Sequence, residues 1–242
     1  MDTVIEVKNL QKSFGNMKIL RGIDLKLHKG ENIGIIGKSG CGKSVLTKCI
    51  VRLIEPDEGE VYISGNDVLT MNDNQLTEIR KKVGYLFQGG ALYDSMNIRE
   101  NLEFPIRRTQ FIRHRPEVES MVVEALENVG LLSAINKMPA ELSVGMRKRI
   151  GLARAIILKP EIIFYDEPTS GLDRLTAGEI SDLIVEIQEK YQASSIIITH
   201  DLKCAKTATN NIKLLKDGVF YAEGTFDELS HRDDKEVRDY LT

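Results

Sequence analysis

Gly37 to Ser44 read Gly-Lys-Ser-Gly-Cys-Gly-Lys-Ser, two glycines separated by four residues and followed by Lys-Ser. Immediately before this loop, Asn32 to Ile36 form a short apolar, β-branched run, as expected of a buried strand. Immediately after it, Val45, Leu46, Cys49, Ile50 and Leu53 recur at helical spacing. The spacing therefore predicts a strand, a glycine-rich turn and a helix, the context in which such a loop holds nucleotide phosphates. Gly37, Lys38, Ser39, Gly40, Cys41 and Gly42 are the candidate cradle. Their backbone N–H groups can curl around an anion at the positive end of a helix dipole. Lys43 is then expected to reach the β and γ phosphates, and Ser44 to set its hydroxyl on Mg²⁺.

Upstream, Thr3 to Leu10 and Gly22 to Leu27 have strand character, the second alternating Ile23, Leu25 and Leu27 with Asp24 and Lys26. Gly15-Asn16 marks a turn between them, and Phe14 just before it is either an ordinary strand aromatic or a binding residue. Glu55 to Gly59 form a turn cluster ahead of a strand over Glu60 to Ser64. Val83 to Phe87 are a further strand, ending at Gln88 and followed by the irregular stretch Gly89 to Ser95.

From about Asn97 to Leu158 the texture is helical. Val118, Met121, Val122, Ala125, Leu126 and Val129 follow a helical repeat between Pro116 and Gly130 and read as core. Arg107, Arg108, Arg113, His114 and Arg115 make a local basic cluster, read as a solvated face. Ser143 is a natural N-cap for a basic amphipathic helix with Met146, Ile150, Ala153 and Ile157 on one side. The strand Glu161 to Asp166 then delivers Asp166 and Glu167 at its carboxyl end, where open α/β sheets bind ligands. Ser195 to Thr199 form another buried strand and deliver His200. Asp217-Gly218 predicts a type I′ hairpin turn, and the charged segment beyond Gly224 predicts one or two short helices.

The bulk numbers set bounds. A chain of 242 residues that is 42% hydrophobic and 29% charged is ordinary for a globular protein able to bury a sizeable core. A net charge of −3 gives no basic excess for gripping a phosphodiester backbone, so no nucleic-acid partner is expected. Three cysteines without a Cys-x-x-Cys pair suit neither a disulfide framework nor a zinc site, and point to a reducing cytosol. The first residues lack the pattern of a secretory signal, and no apolar run approaches the length of a membrane span. Work at a membrane would then depend on a partner.

In this order, the motifs resemble the ATPase subunit of an ATP-binding-cassette (ABC) transporter across nearly the whole chain. Gly37 to Ser44 resemble its Walker A loop and Gln88 its Q-loop glutamine. Leu142 to Met146 resemble the signature Leu-Ser-Gly-Gly-Gln. Ile162 to Asp166 resemble Walker B followed by the catalytic Glu167, Ser170 to Asp173 the D-loop, and His200 the switch histidine. Phe14 falls where the family stacks an aromatic on adenine. The resemblance implies an α/β P-loop NTPase fold with a mixed sheet core, an antiparallel β subdomain and an inserted α-helical subdomain. It divides a single domain into a core and β subdomain (1–88 and 160–224), a helical subdomain (89–159) and a C-terminal helical tail (225–242).

It also implies ATP and Mg²⁺ as cofactors, with Lys43, Glu167 and His200 acting on the phosphates and Ser44, Gln88 and Asp166 holding the metal. Two copies are expected to pair head to tail, each ATP lying between the Walker A loop of one and Ser143 and Gly145 of the other. Val144 stands where the signature normally has glycine, and Met146 where it usually has glutamine. The methionine resembles a subgroup of importer-like bacterial cassettes, whereas Val144 is expected to tighten the approach to ATP. The stretch from Gly89 to Ile98, with Phe104-Pro105, is similar to ATPases of the Mla and Mce type, which power phospholipid movement between bacterial membranes. That similarity implies a permease docked at the region after Gln88, an accessory subunit, an Mce-type lipid-binding protein, and a place on the cytoplasmic face of the inner membrane. An ATPase for another cargo, such as an amino acid, a solvent or a lipoprotein, stays open. Of the non-transport members, chromosome-type proteins need a long coiled coil that the interval from Lys43 to Ser143 cannot hold, and ribosome-acting ones usually carry two cassettes. A regulatory cassette that binds without hydrolysing is disfavoured by Glu167 and His200.

Overall fold

The computed structural model describes residues 2–108 and 114–241; Arg113 of the basic cluster lies outside them. The chain opens with two long antiparallel strands, β1 (Thr3–Phe14) and β2 (Met17–His28), joined at Gly15-Asn16. Both run further than local patterning predicts, because paired neighbours supply hydrogen bonds to their polar halves too. β3 (Asn32–Ile36) leads through the glycine loop into α1 (Lys43–Ile50). The helix stops one turn short of Leu53, which is half exposed. Then follow β4 (Glu58–Ile63), the short β5 (Asn66–Asp67), α2 (Asp73–Lys81) and β6 (Val83–Leu86). Helices α3 (Ile98–Arg108), α4 (Arg115–Asn128) and α5 (Val144–Ile156) come next. The remainder alternates: β7 (Ile162–Asp166), α6 (Arg174–Tyr191), β8 (Ser194–Ile198), α7 (Leu202–Ala208), then the hairpin β9 (Asn211–Lys216) and β10 (Val219–Gly224), α8 (Phe226–His231) and α9 (Lys235–Leu241).

Two sheets result. One is antiparallel in the order β2-β1-β4-β5, with Ile5 opposite both Leu27 and Ile63. The other is mixed, in the order β10-β9-β3-β8-β7-β6, parallel from β9 to β6 and closed at one edge by antiparallel β10. The expected α/β architecture, with its mixed core sheet, antiparallel sheet and helical insertion, is what forms.

The central strands are buried on both faces, which is why they read as unbroken apolar runs. One face, with Ile33, Ile162, Phe164 and Ile196, packs with the antiparallel sheet and with Leu46 and Ile50 of α1. The opposite face, with Ile163, Tyr165 and Ile197, packs with Ile150 and Leu152 of α5 and with Ile180 and Ile184 of α6. Each fully buried Ile or Phe contributes about 1.5–3 kcal/mol relative to exposure. Between these layers the parallel strands have little freedom, and their carboxyl ends are aligned along one edge.

Candidate functional site

Four chain segments leave that edge side by side. β3 runs into the glycine loop, β6 into Gln88, β7 into Asp166 and Glu167, and β8 into Thr199 and His200. Parallel pairing sets their relative height: Ile35 is level with Ile198, and Ile198 with Asp166. A cleft of about 600 Å³ opens there. It is lined by Gly37 to Gly40, Gly42 to Val45, Gln88, Glu167 and His200, with Phe14 and Ile19 from the first hairpin closing one side.

The loop needs its glycines. A Cβ on Gly37 would stand 2.5 Å from the Leu215 carbonyl oxygen, so the loop lies flush against β9. Gly42 caps α1 in the left-handed region at φ 106°. Lys43 is buried, and its ammonium donates to the carbonyl oxygens of Gly37 at 2.7 Å and Lys38 at 3.2 Å. The Ser44 hydroxyl donates to Asp166 Oδ1 at 2.8 Å. Cys41 does not line the cleft; it is half-buried, and its Sγ lies close to Gly37.

Across the cleft, the Glu167 carboxylate is almost wholly buried, and its Oε2 lies 2.7 Å from His200 Nδ1. The His200 backbone N–H is 3.4 Å from the same oxygen. Glu167 has φ 52°, a costly value for a residue with a side chain. Its backbone is pinned on both sides: its N–H donates to the Ile198 carbonyl, and its carbonyl accepts from Ser170 N–H and Oγ. Asp201, directly after the histidine, caps α7 by accepting from Lys203 and Cys204 N–H, which anchors the chain behind the ring.

Ser143 and Gly145 stand apart from this cleft. Ser143 caps α5 as expected, accepting from Met146 N–H at 3.2 Å. The turn is solvent-facing, and Val144 is 45% exposed. Asp173, in the expected D-loop, caps α6 by accepting from Leu175 and Thr176 N–H. Phe14 is 51% exposed at the cleft mouth with the Lys12 ammonium 5.4 Å from its ring centre.

Two contributors escaped the sequence reading. Ile19 arrives through the β1–β2 pairing, which no local pattern announces. Lys148 lies in α5 away from the side that Met146, Ile150, Ala153 and Ile157 mark as apolar, yet it is 4% exposed and bonded into the site's loops. Burial pushes its pKa below the ordinary lysine value, partly opposed by the Glu167 and Asp166 carboxylates. The signal for it was Leu152 four residues on, which marks that side of α5 as buried too.

The donor set discriminates among ligands. Among the described residues no three His, Cys, Asp or Glu side chains gather as a metal cage. A hydroxyl and a carboxylate beside a loop of N–H donors suit a hard cation that takes the rest of its ligands from phosphates and water, as Mg²⁺ does. The residues present fit a nucleoside triphosphate and Mg²⁺.

Comparison with known proteins agrees with this geometry. The ABC transporter family model matches residues 20–170, and the chain belongs to that family. Over 241 residues it is 40% identical to the probable ribonucleotide transport ATP-binding protein mkl of Mycobacterium leprae, covering all of this chain and 69% of that protein. It is 38% identical to the intermembrane phospholipid transport system ATP-binding protein MlaF of Haemophilus influenzae, covering 98% of this chain and 90% of that one. A dimeric ATP-binding cassette solved in a post-hydrolysis state with ADP and Pi superposes with a TM-score of 0.84 at 32% identity, over 91% of this chain and 98% of that chain. The protein is therefore an ABC ATPase cassette, and ATP is the nucleotide its family binds. No helix among the described residues is long and apolar enough to cross a membrane.

Proposed function

We propose that this chain hydrolyses ATP in the cleft at the strand ends to power phospholipid transport through a separate membrane permease. The observation that carries the reading is the convergence of the Gly37–Ser44 loop, Gln88, Glu167 and His200 on one cavity, with Asp166 hydrogen-bonded to Ser44 of its lining. In this reading Lys43 exchanges its two carbonyl partners for phosphate oxygens, and the N–H groups of residues 37–42 cradle the remaining charge. Ser44, Gln88 and Asp166 hold Mg²⁺, which neutralises charge on the phosphates. Phe14 offers its exposed ring to the base. Glu167 accepts a proton at its carboxylate from the attacking water, a role generally worth about 10² to 10⁴ in rate. His200 steadies that carboxylate and faces the terminal phosphate.

Ser143, Gly145 and the exposed Val144 turn complete the site of a second copy paired head to tail. Their distance from the chain's own cleft supports that arrangement, as does the dimeric form of the post-hydrolysis cassette. The permease is assigned to a second cavity of about 500 Å³ beside the Gln88 segment. Tyr85, Phe87, Tyr93 and Phe104 give it an aromatic wall, and Arg108 and Arg154 give it positive charge. Among the described residues no carboxylate lines it, which suits a helix with an apolar face and an acidic residue. Through that contact the chain is held at the inner membrane's cytoplasmic face, and an accessory subunit and an Mce-type lipid-binding protein complete the assembly.

The phospholipid cargo is supported by the near full-length likeness to MlaF and by the residues from Gly89 to Ile98. The Mycobacterium leprae relative is named for ribonucleotide transport, so the test must separate cargoes. The tagged chain is recovered from native membranes in mild detergent, and co-purifying proteins and lipids are measured by mass spectrometry. A multi-spanning permease with an Mce-type protein and bound phospholipid is the expected result. A permease without lipid overturns the cargo, and ribosomal or DNA-repair proteins without any permease overturn the transport role.

A further inference from the structure

Lys148 lies in the second turn of α5, four residues beyond Val144, and its ammonium is buried. Among the described residues no carboxylate forms an ion pair with it. Instead its three N–H donors meet three acceptors, one on the loop after β6 and two on the loop between β7 and α6. One is the carbonyl oxygen of Gln88, at the end of β6. The second is the carbonyl oxygen of Glu167, at 2.9 Å, just past β7. The third is Ser170 Oγ, at 3.4 Å, in the turn before α6. Taking an ammonium out of water is costly unless every donor is matched, and a Leu or Met would fill the same space without that cost. What the ammonium adds is a fixed spacing between the loops that carry its three acceptors.

The close fit of α5 to those loops is built in. A Cβ on Gly151, one turn further along, would meet Leu86 Cδ1 at 2.9 Å and the Gly90 carbonyl oxygen at 3.1 Å. Glu167 occupies the left-handed region, and the Lys148 bond falls on the carbonyl of that same residue. We infer that Lys148 is a positioning residue for hydrolysis: it ties α5, whose N-terminus carries Ser143 and Gly145, to the backbone that aims the Glu167 carboxylate and the Gln88 side chain. This rests on the reading of Glu167 as the base.

The test is Lys148→Met in the purified full chain, with turnover and KM for ATP measured, and with ATP-driven dimerisation followed in a Glu167→Gln background. Misplacing a reacting group by about 1 Å can cost about 10²-fold, so kcat is expected to fall by about tenfold to 10²-fold while KM stays within about threefold. The Lys148→Met/Glu167→Gln chain still dimerises at the ATP concentration that suffices for Glu167→Gln alone. Lys148→Gln, which restores two N–H donors, recovers part of the lost kcat. Wild-type kcat in Lys148→Met overturns the inference, and so does a parallel loss of ATP affinity and dimer, which marks a merely structural residue. If the methionine variant does not fold, Lys148→Gln decides by the same split of kcat from KM. Glu167→Gln alone separates the two readings: turnover there at the wild-type rate contradicts the base, whereas an inactive Glu167→Gln beside an unimpaired Lys148→Met contradicts only the role of Lys148.

Discussion

A methyl group on Gly42 would stand 2.8 Å from Ile19 Cγ2, at a backbone φ of 106° that side chains rarely adopt. The strain and the clash act together, because the Gly42 N–H belongs to the cradle and Ile19 forms its wall. Gly42→Ala is expected to weaken ATP binding by at least about tenfold and to cost about 1–3 kcal/mol of stability. Titration with a fluorescent ATP analogue and a thermal melt check both numbers, and unchanged affinity would show that the loop does not need its left-handed turn. Ser44 and Asp166 are already joined by a hydrogen bond, so the hydroxyl and carboxylate proposed for the metal are brought together before any ion enters. Glu167 differs from both: its position depends on backbone held in an uncommon conformation by neighbours from other segments.

The strand β7 is where packing and chemistry meet, since Phe164 and Tyr165 point to opposite faces just before the carboxylates. Phe164 stacks on Tyr85 at 5.7 Å, and the Tyr85 hydroxyl lies 2.9 Å from Thr47 Oγ1, so one contact chain ties β7 to β6 and α1. Phe164→Ala should cost about 3–5 kcal/mol, read as a lowered denaturation midpoint with the m-value unchanged. A cost under about 1 kcal/mol would contradict the packing described.

The legibility of elements follows the same division. Strands buried on both faces and the glycine loop were readable because their patterns are local. α2 leaves too little local signal, although Asn72 and Gln75 form a capping box around its first turn, because Leu76 and Ile79 alone give too short an apolar stripe. Of the candidate site, Gln88, Asp166, Glu167 and His200 are legible at strand ends, and Lys43 and Ser44 at the start of the helix that follows the glycine loop. Lys148 was hidden because the helix carrying it is buried on two sides, which only the assembled layers reveal.

Across the whole molecule, the parallel sheet places the phosphate loop and the two carboxylates on one edge, while α5 holds its N-terminal turn out in solvent. The chain's own cleft thus lacks Ser143 and Gly145, which a second copy is proposed to supply. The aromatic and basic cavity beside the Gln88 segment adjoins the same loop, so a permease seated there would bear on the residues that meet ATP. The composite cleft is proposed to hydrolyse ATP through Glu167. The most direct test is Glu167→Gln, assayed for steady-state turnover and for ATP-driven dimerisation by light scattering. A stable ATP-bound dimer with turnover reduced by about 10² to 10⁴ is expected; turnover near the wild-type rate would contradict the role of Glu167.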